Sequence, residues 1–261
     1  MTSSALTATA AGGRAASFGE APMSVFLDVD GTLLDLAERP NEVTTPAELL
    51  QVLARAERKL DGALALISGR PIEELDRLFA PLRLRASGVH GAQVRFDPGA
   101  PARRSPGVTE LPHSLWTALA DILAQFPGTF AENKRFSFAV HYRSAADREA
   151  ELRAAIGRLV EKHKGVPLEV LNSHWVIELK APGPDKGRAI ESFLAGPPFV
   201  GRTPIFVGDD TTDEAGFAVV AAHGGFAYSV GGRRPGATGV LGCPQEVRDW
   251  LTAFSQGSAA G

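Results

Sequence analysis

Three short apolar runs constrain this chain more than anything else in it: Ser24–Val29, Ala63–Ile67 and Pro204–Val207. They are apolar nearly throughout, whereas a strand with one wet face alternates. The first two are each followed by a helical pattern. In Pro46–Lys59, residues Leu49, Leu50, Leu53 and Ala56 recur at helical spacing after Thr45, a candidate cap, and Pro71–Phe79 begins a second helix. Strand, helix, strand, helix with strands hydrophobic on both faces predicts an α/β protein with a parallel sheet covered on both sides.

The middle of the chain has a different pattern. Residues 98–112 are rich in Pro and Gly and read as a connection, and Leu111–Phe126 and Asp147–His163 are helical. Phe136–Tyr142 alternates as a strand with one exposed face should, and Glu169–Lys180 contains another alternating strand. From Asp185 the first pattern resumes, with a helix over Lys186–Leu194, the run Pro204–Val207, a helix through Ala222, a strand at Phe226–Val230 and a closing helix over Pro244–Phe254. The expected organisation is an α/β core formed by residues 21–95 and 185–261, interrupted by an α+β insert at 96–184. Residues 1–20 are small and polar and read as a disordered leader, as does the tail Ser255–Gly261.

Composition narrows the function classes. At 44% hydrophobic and 22% charged, the 261 residues match an ordinary globular protein. A net charge of -3 gives no basic surface for nucleic acid or a membrane, and no apolar run reaches membrane-spanning length. The single cysteine, Cys243, has no internal disulfide partner, which together with the absence of an export signal predicts a cytoplasmic protein.

The first apolar run ends in "FLDVDGTL", where Asp28 and Asp30 stand one residue apart. On an extended segment both would point the same way, into the crevice where parallel sheets bind ligands. Two adjacent carboxylates repel unless a cation joins them, and magnesium suits a few carboxylates plus phosphate oxygens. Gly31 permits a tight turn, and Thr32 supplies a hydroxyl. The alternative is Asp-Gly turn chemistry. Three later stretches add to the pattern: Ser68-Gly69 in "LISGR", Lys186 in "GPDKGRAI", and Asp209, Asp210, Asp213 and Glu214 in "VGDDTTDE". Individually these read as a helix cap, a surface lysine and a helix N-terminus rich in acids.

Taken in order, the acid pair, hydroxyl, lysine and acid cluster resemble the four motifs of the haloacid dehalogenase superfamily of aspartate-nucleophile phosphohydrolases. The resemblance implies a Rossmann-like core with an inserted cap. It also implies that Asp28 is the nucleophile and Asp30 the general acid/base. Ser68, Gly69 and Lys186 would hold the phosphoryl oxygens. Mg²⁺ would be bound by Asp28, Asp209 and the backbone carbonyl of Asp30, with Asp213 and Asp210 behind them.

The insert must select the leaving group. Glu132-Asn133-Lys134 and Glu178-Leu179-Lys180 repeat an arrangement that on a strand puts Glu and Lys on one face, suited to sugar hydroxyls or to plain surface ion pairs. Here "GVHGAQ", "ENKRFSFAVHYR" and "VIELK" join the core motifs to resemble the trehalose-6-phosphate phosphatase family, over about Val25 to Glu214. That likeness implies a small sugar phosphate as substrate, and contacts to it from Glu132, Lys134 and Glu178, with Asn133, His141 and Arg143 as weaker candidates. It implies closure of the insert over the crevice and a functional link to a trehalose-6-phosphate synthase. Gln93 departs from the family, which carries an acid there. Rival readings are a phosphatase for another sugar phosphate such as sucrose phosphate, a phosphotransferase or mutase, and a silent regulatory binding module.

Overall fold

The computed structural model of the protein describes residues 22–37, 39–173 and 175–256. The expected leader at 1–20 lies outside the described residues, as do residues 257–261 of the expected tail. Ser255 and Gln256 are helical rather than disordered, because they complete the last turn of the closing helix.

In chain order the elements are β1 (Met23–Leu27), α1 (Ala47–Lys59), β2 (Leu64–Ile67), α2 (Ile72–Leu78), β3 (Arg85–Gly88), β4 (Gln93–Arg95) and β5 (Arg103–Arg104). Next come α3 (His113–Leu123), β6 (Phe130–Asn133), β7 (Ser137–His141), α4 (Glu149–Lys162), β8 (Glu169–Ser173) and β9 (Val176–Lys180). The chain ends with α5 (Lys186–Leu194), β10 (Thr203–Gly208), α6 (Glu214–Ala222), β11 (Phe226–Val230), β12 (Gly239–Leu241) and α7 (Pro244–Gln256). The described residues form two compact units, one from the segments up to Arg103 and from Asp185 onward, the other from Arg104–Pro184. Residues 96–103 thus fall with the first unit rather than with the insert. Phe96 is the reason, since its ring packs edge-on against Phe193 of α5 at 5.0 Å.

The first unit is built on a sheet of order β12-β11-β10-β1-β2-β3-β4-β5. Pairs from β12 to β3 are parallel, while β4 returns antiparallel to β3, so the sheet is mixed rather than purely parallel. The reversal follows from the short connection between Gly88 and Gln93, which has no room for a crossover helix. β1, β2 and β10 are buried on both faces, as their apolar runs predict. From β1 the chain moves through α1 to β2 on one side, and from β10 through α6 to β11 on the other. Right-handed crossovers therefore place α1 and α6 on opposite faces. Phe26, Phe193 and Phe199 fill one part of this core, with ring centroids 5.1 to 6.1 Å apart.

The helix starts differ in detail from expectation. Pro46 itself caps α1, and the buried Thr45 hydroxyl has no hydrogen-bond partner. The second unit is a four-stranded antiparallel sheet of order β6-β7-β9-β8. Phe138, Val140, Ile177 and Leu179 on one face pack into a cluster with Leu115, Leu119, Leu152, Ile156 and Leu159 of α3 and α4. Glu169–Lys180 is a hairpin of two strands rather than one, turned near Trp175, whose φ is 62°. No helix among the described residues is long and apolar enough to cross a membrane.

Candidate active site

The site lies at the carboxyl ends of β1 and β10, where the chain's crossovers part in opposite directions along the sheet. β1 pairs in parallel with β10 on one side and β2 on the other, with Leu27 opposite both Val207 and Leu66. Asp28, the first residue past β1, donates its N–H to Val207 O at 2.9 Å and so stands level with Gly208 and Ile67. Asp209 and Ser68 come one residue later on the neighbouring strands. The chains leaving β1 and β10 part to opposite faces, which opens the crevice in which α/β sheets bind ligands. Register alone therefore gathers three motifs that are far apart in sequence.

Lys186, the first residue of α5, closes the group. Its ammonium donates to Asp28 Oδ1 at 2.7 Å and to Asp213 Oδ1 at 2.6 Å. All three side chains are buried. A lysine at a helix N-terminus opposes the dipole, and these two carboxylates are the anions that compensate it. Thr32 Oγ1 lies 3.3 Å from Asp28 Oδ2 and 3.1 Å from Asp209 Oδ1, and so bridges the remaining acid. Gly31 makes this approach possible. Its φ is +77°, and a Cβ there would lie 2.3 Å from Asp209 Oδ2.

The charges do not balance. Burial pushes the Asp28 carboxyl well above the ordinary carboxylate range, and Lys186 opposes that while Asp213 and Asp209 add to it. Burial, then Asp213, raises Asp209 to about 6. Burial works against the Lys186 ammonium, but Asp213 and Asp28 outweigh it and hold the group above the usual lysine range. Three carboxylates thus share one ammonium.

One ligand oxygen from each of Asp28, Asp209 and Asp213 lies within 4.8 Å of the others, which fits a hard cation. Asp213 is the least available of the three. Its Oδ1 accepts from Lys186, and its Oδ2 accepts from the Asp210 N–H at 2.9 Å. Asp210 turns away, accepting from the Thr211 N–H at 2.7 Å. Arg234, which the sequence reading passed over, donates to Asp209 O at 2.8 Å and so fixes that loop.

The side chain of Asp30 stands apart from this cluster. Arg70 takes both of its oxygens, Nε to Oδ2 and Nη2 to Oδ1, each at 2.7 Å. Ser68 is buried, and its Oγ accepts from the Arg70 N–H at 3.1 Å instead of capping α2. Behind this loop, Val89 and His90 both have positive φ, at 48° and 51°. Their N–H groups donate to Arg70 O and Ser68 O at 3.1 Å. A β-branched residue in that region is strained, and strain of this kind is kept at functional sites. Gln93 Oε1 accepts from the Ile72 N–H at 2.9 Å, so this side chain caps the start of α2.

In the second unit, the register aligns Glu132 of β6, Ala139 of β7, Glu178 of β9 and Leu171 of β8 in one row. Directly paired residues share a face, so Glu132, Ser137, His141, Glu178 and Lys180 all lie opposite the apolar cluster. Ser137 Oγ bonds Glu178, and His141 Nε2 bonds Glu132 while its ring stacks on Phe130 at 4.4 Å. β7 is buried on both faces, not one, because Ala139 lies between the two glutamates. Lys180 bonds Pro184 O and Glu169, each at 2.7 Å. Lys134 follows β6, while Asn133 Oδ1 accepts from the Arg135 N–H to shape the β6–β7 turn, and Arg143 is exposed.

Comparison with known proteins points one way. The trehalose-phosphatase family model matches residues 26–234, which include Asp28, Asp30, Ser68, Arg70, Lys186, Asp209, Asp213 and Arg234. A trehalose-6-phosphate phosphatase of Escherichia coli (strain K12) is 39% identical over 230 residues, covering 87% of this chain and 84% of its own. A probable trehalose-phosphate phosphatase of Sinorhizobium fredii is 36% identical over 234 residues, covering 89% of this chain and 87% of its own. A crystal structure of a trehalose-6-phosphate phosphatase related protein superposes with a TM-score of 0.75 at 27% identity, covering 89% of this chain and 96% of that one.

Proposed function

The chain belongs to the trehalose-phosphatase family of phosphoric monoester hydrolases, and on that premise we propose that it hydrolyses trehalose 6-phosphate through an aspartyl-phosphate on Asp28, with magnesium as cofactor. The observation that carries this reading is the buried Asp28 and Asp213 and the half-buried Asp209 gathered around a single Lys186 ammonium. That set is short of positive charge and accepts both a divalent cation and a phosphoryl group.

The protein's own groups divide the work. Asp28 attacks phosphorus as the bond to the sugar oxygen breaks, and Asp30 protonates that oxygen as it leaves. Asp30, now a carboxylate, takes a proton from water, whose oxygen attacks phosphorus and breaks the bond to Asp28. The product is inorganic phosphate, and both acids return to their starting states. Splitting one slow hydrolysis into two displacements is what a nucleophilic side chain contributes. Lys186 and the Ser68–Gly69 loop hold phosphoryl oxygens, and Lys186 neutralises charge as it develops. Magnesium held by Asp28, Asp209 and the Asp30 carbonyl would supply further charge neutralisation and orient the phosphoryl group.

Glu132, Lys134 and Glu178 are the proposed sugar-reading groups. Two carboxylates on one sheet face and an ammonium just past the end of β6 accept from and donate to hydroxyls, and such groups reject analogues lacking them. A silent binding module would have no use for both Asp28 and Asp30. The test is phosphate release from a panel of sugar phosphates with and without magnesium, using the native protein and Asp28→Asn. Preference for trehalose 6-phosphate, lost in the variant and in chelator, is expected. Release by Asp28→Asn at the native rate would overturn the nucleophile assignment.

A further inference from the structure

We propose that Arg70 is a positioning residue that sets the aim of the Asp30 carboxylate; the proposal rests on the reading of Asp30 as the proton-transfer group. The two side chains meet as a fork on a fork, Nε to Oδ2 and Nη2 to Oδ1, both at 2.7 Å. Such bidentate pairs fix orientation as well as distance. Arg70 is itself immobilised. Pro40 O accepts from Nη1 and Nη2 at 3.1 Å, and Glu74 Oε2 lies 3.4 Å from Nη1. Its side chain is 9% exposed against 30% for Asp30, so a buried guanidinium anchors a carboxylate that reaches toward solvent.

Asp30 needs such an anchor. It sits just before the turn at Gly31, and among the described residues it is Arg70 that takes both of its oxygens. A group that moves a proton must lie within about 3 Å of the atom it serves. An error of about 1 Å costs roughly a hundredfold in rate. The fork uses one lone pair on each Asp30 oxygen and leaves the others to receive and deliver the proton. The same residue ties in the phosphate loop, because its N–H donates to Ser68 Oγ and its carbonyl accepts from the Val89 N–H, each at 3.1 Å. Arg70 thereby refers the proton-transfer group and the phosphate-binding hydroxyl to one fixed point. Lysine would keep the charge but not the fork.

The experiment is a double-mutant cycle on the full chain with trehalose 6-phosphate and magnesium, using Arg70→Ala, Arg70→Lys, Asp30→Asn and Arg70→Ala combined with Asp30→Asn. Alongside it, the pre-steady-state burst of dinitrophenolate from dinitrophenyl phosphate reports transfer to Asp28, a step whose leaving group needs no proton. Arg70→Ala and Arg70→Lys are each expected to lower kcat about 10- to 100-fold, up to the roughly hundredfold cost of a misplaced group and short of losing acid–base assistance outright, with KM within about twofold. In the Asp30→Asn background, Arg70→Ala should cost less than about twofold more, because the two act as one unit. The burst rate should stay near native. Equal losses from Arg70→Ala in both backgrounds, or a burst slowed as much as kcat, would assign Arg70 a general structural role and overturn the proposal. If Arg70→Ala does not fold, Arg70→Lys carries the test, and native kcat in that variant overturns it. Native kcat in Asp30→Asn would instead refute the reading of Asp30 itself, an outcome distinct from additivity.

Discussion

Asp209 allows stability and function to be separated in one substitution. Asn at this position keeps the shape, since its carbonyl can still accept from the Thr32 hydroxyl that now lies 3.1 Å from Oδ1. It removes one of three carboxylates that share Lys186. Burial and then Asp213 raise the Asp209 carboxyl from 3.8 to about 6. The folded protein therefore binds this proton more tightly than the unfolded chain does. The stability from this group is complete below 3.8 and is lost as pH rises through about 6. Above that window, at about 1.4 kcal/mol per pH unit, the ionised carboxylate costs the metal-free fold about 3 kcal/mol. Urea unfolding in chelator, followed by circular dichroism at neutral and acidic pH, measures this. At neutral pH Asp209→Asn should be more stable than the native protein by up to about 3 kcal/mol, and the gap should close near about pH 4. Magnesium at a hundred times its Kd should restore about 2.7 kcal/mol to the native protein alone, while the variant loses activity. A variant no more stable than native at neutral pH in chelator would refute the claim that Asp209 is held ionised at a cost.

Lys186→Met should behave in the opposite sense. It leaves Asp28 and Asp213 buried without their ammonium, at a cost of about 3–5 kcal/mol, and abolishes turnover; a native melting temperature would contradict that. Gly31→Ala places a Cβ 2.3 Å from Asp209 Oδ2 at a φ of +77°. It should destabilise the protein by about 1–3 kcal/mol and weaken divalent-cation binding in calorimetry. Gln93→Glu should still accept from the Ile72 N–H and add charge at the α2 N-terminus, raising stability by about 0.5 kcal/mol with kcat within about twofold. A tenfold change in kcat would place position 93 in the chemistry rather than in the cap.

How much of the fold was legible depended on whether a strand carried its burial in its own residues. β1, β2 and β10 did, and so did α5 and β11, whose bounds agree with the helical and apolar patterns. β3 and β4 did not. Their sequences, RASG and QVR, are short and hold arginines that read as solvated. Arg95 is in fact buried, and its guanidinium is matched by Asp76 at 2.6 and 2.7 Å and by Leu84 O. Neither partner is adjacent in sequence, so the pairing that makes burial affordable is invisible to a local pattern. β6 is hidden for a related reason, since FAEN is polar where it meets Ala139 and Phe138 of β7.

The site follows the same logic at the level of charge. In sequence, Asp28, Asp30, Asp209, Asp210 and Asp213 form a pool of acids at two strand ends, and any of them fits a cation. The structure sorts that pool by where the positive groups stand. Arg70 withdraws Asp30 from the cluster with a two-bond fork. Asp210 is withdrawn by the turn it caps, with Arg234 at 3.8 Å. Lys186 takes one oxygen each from Asp28 and Asp213. What remains facing the crevice is the second oxygen of Asp28 and the carboxylate of Asp209, bridged by Thr32. A cation site is thus defined less by where the acids are than by which of them the arginines and the lysine leave available. Arg70 and Arg234 come from loops that local sequence reads as exposed, so the residue pattern alone shows a pool of acids, and the division of labour among them enters the sequence only through the family resemblance.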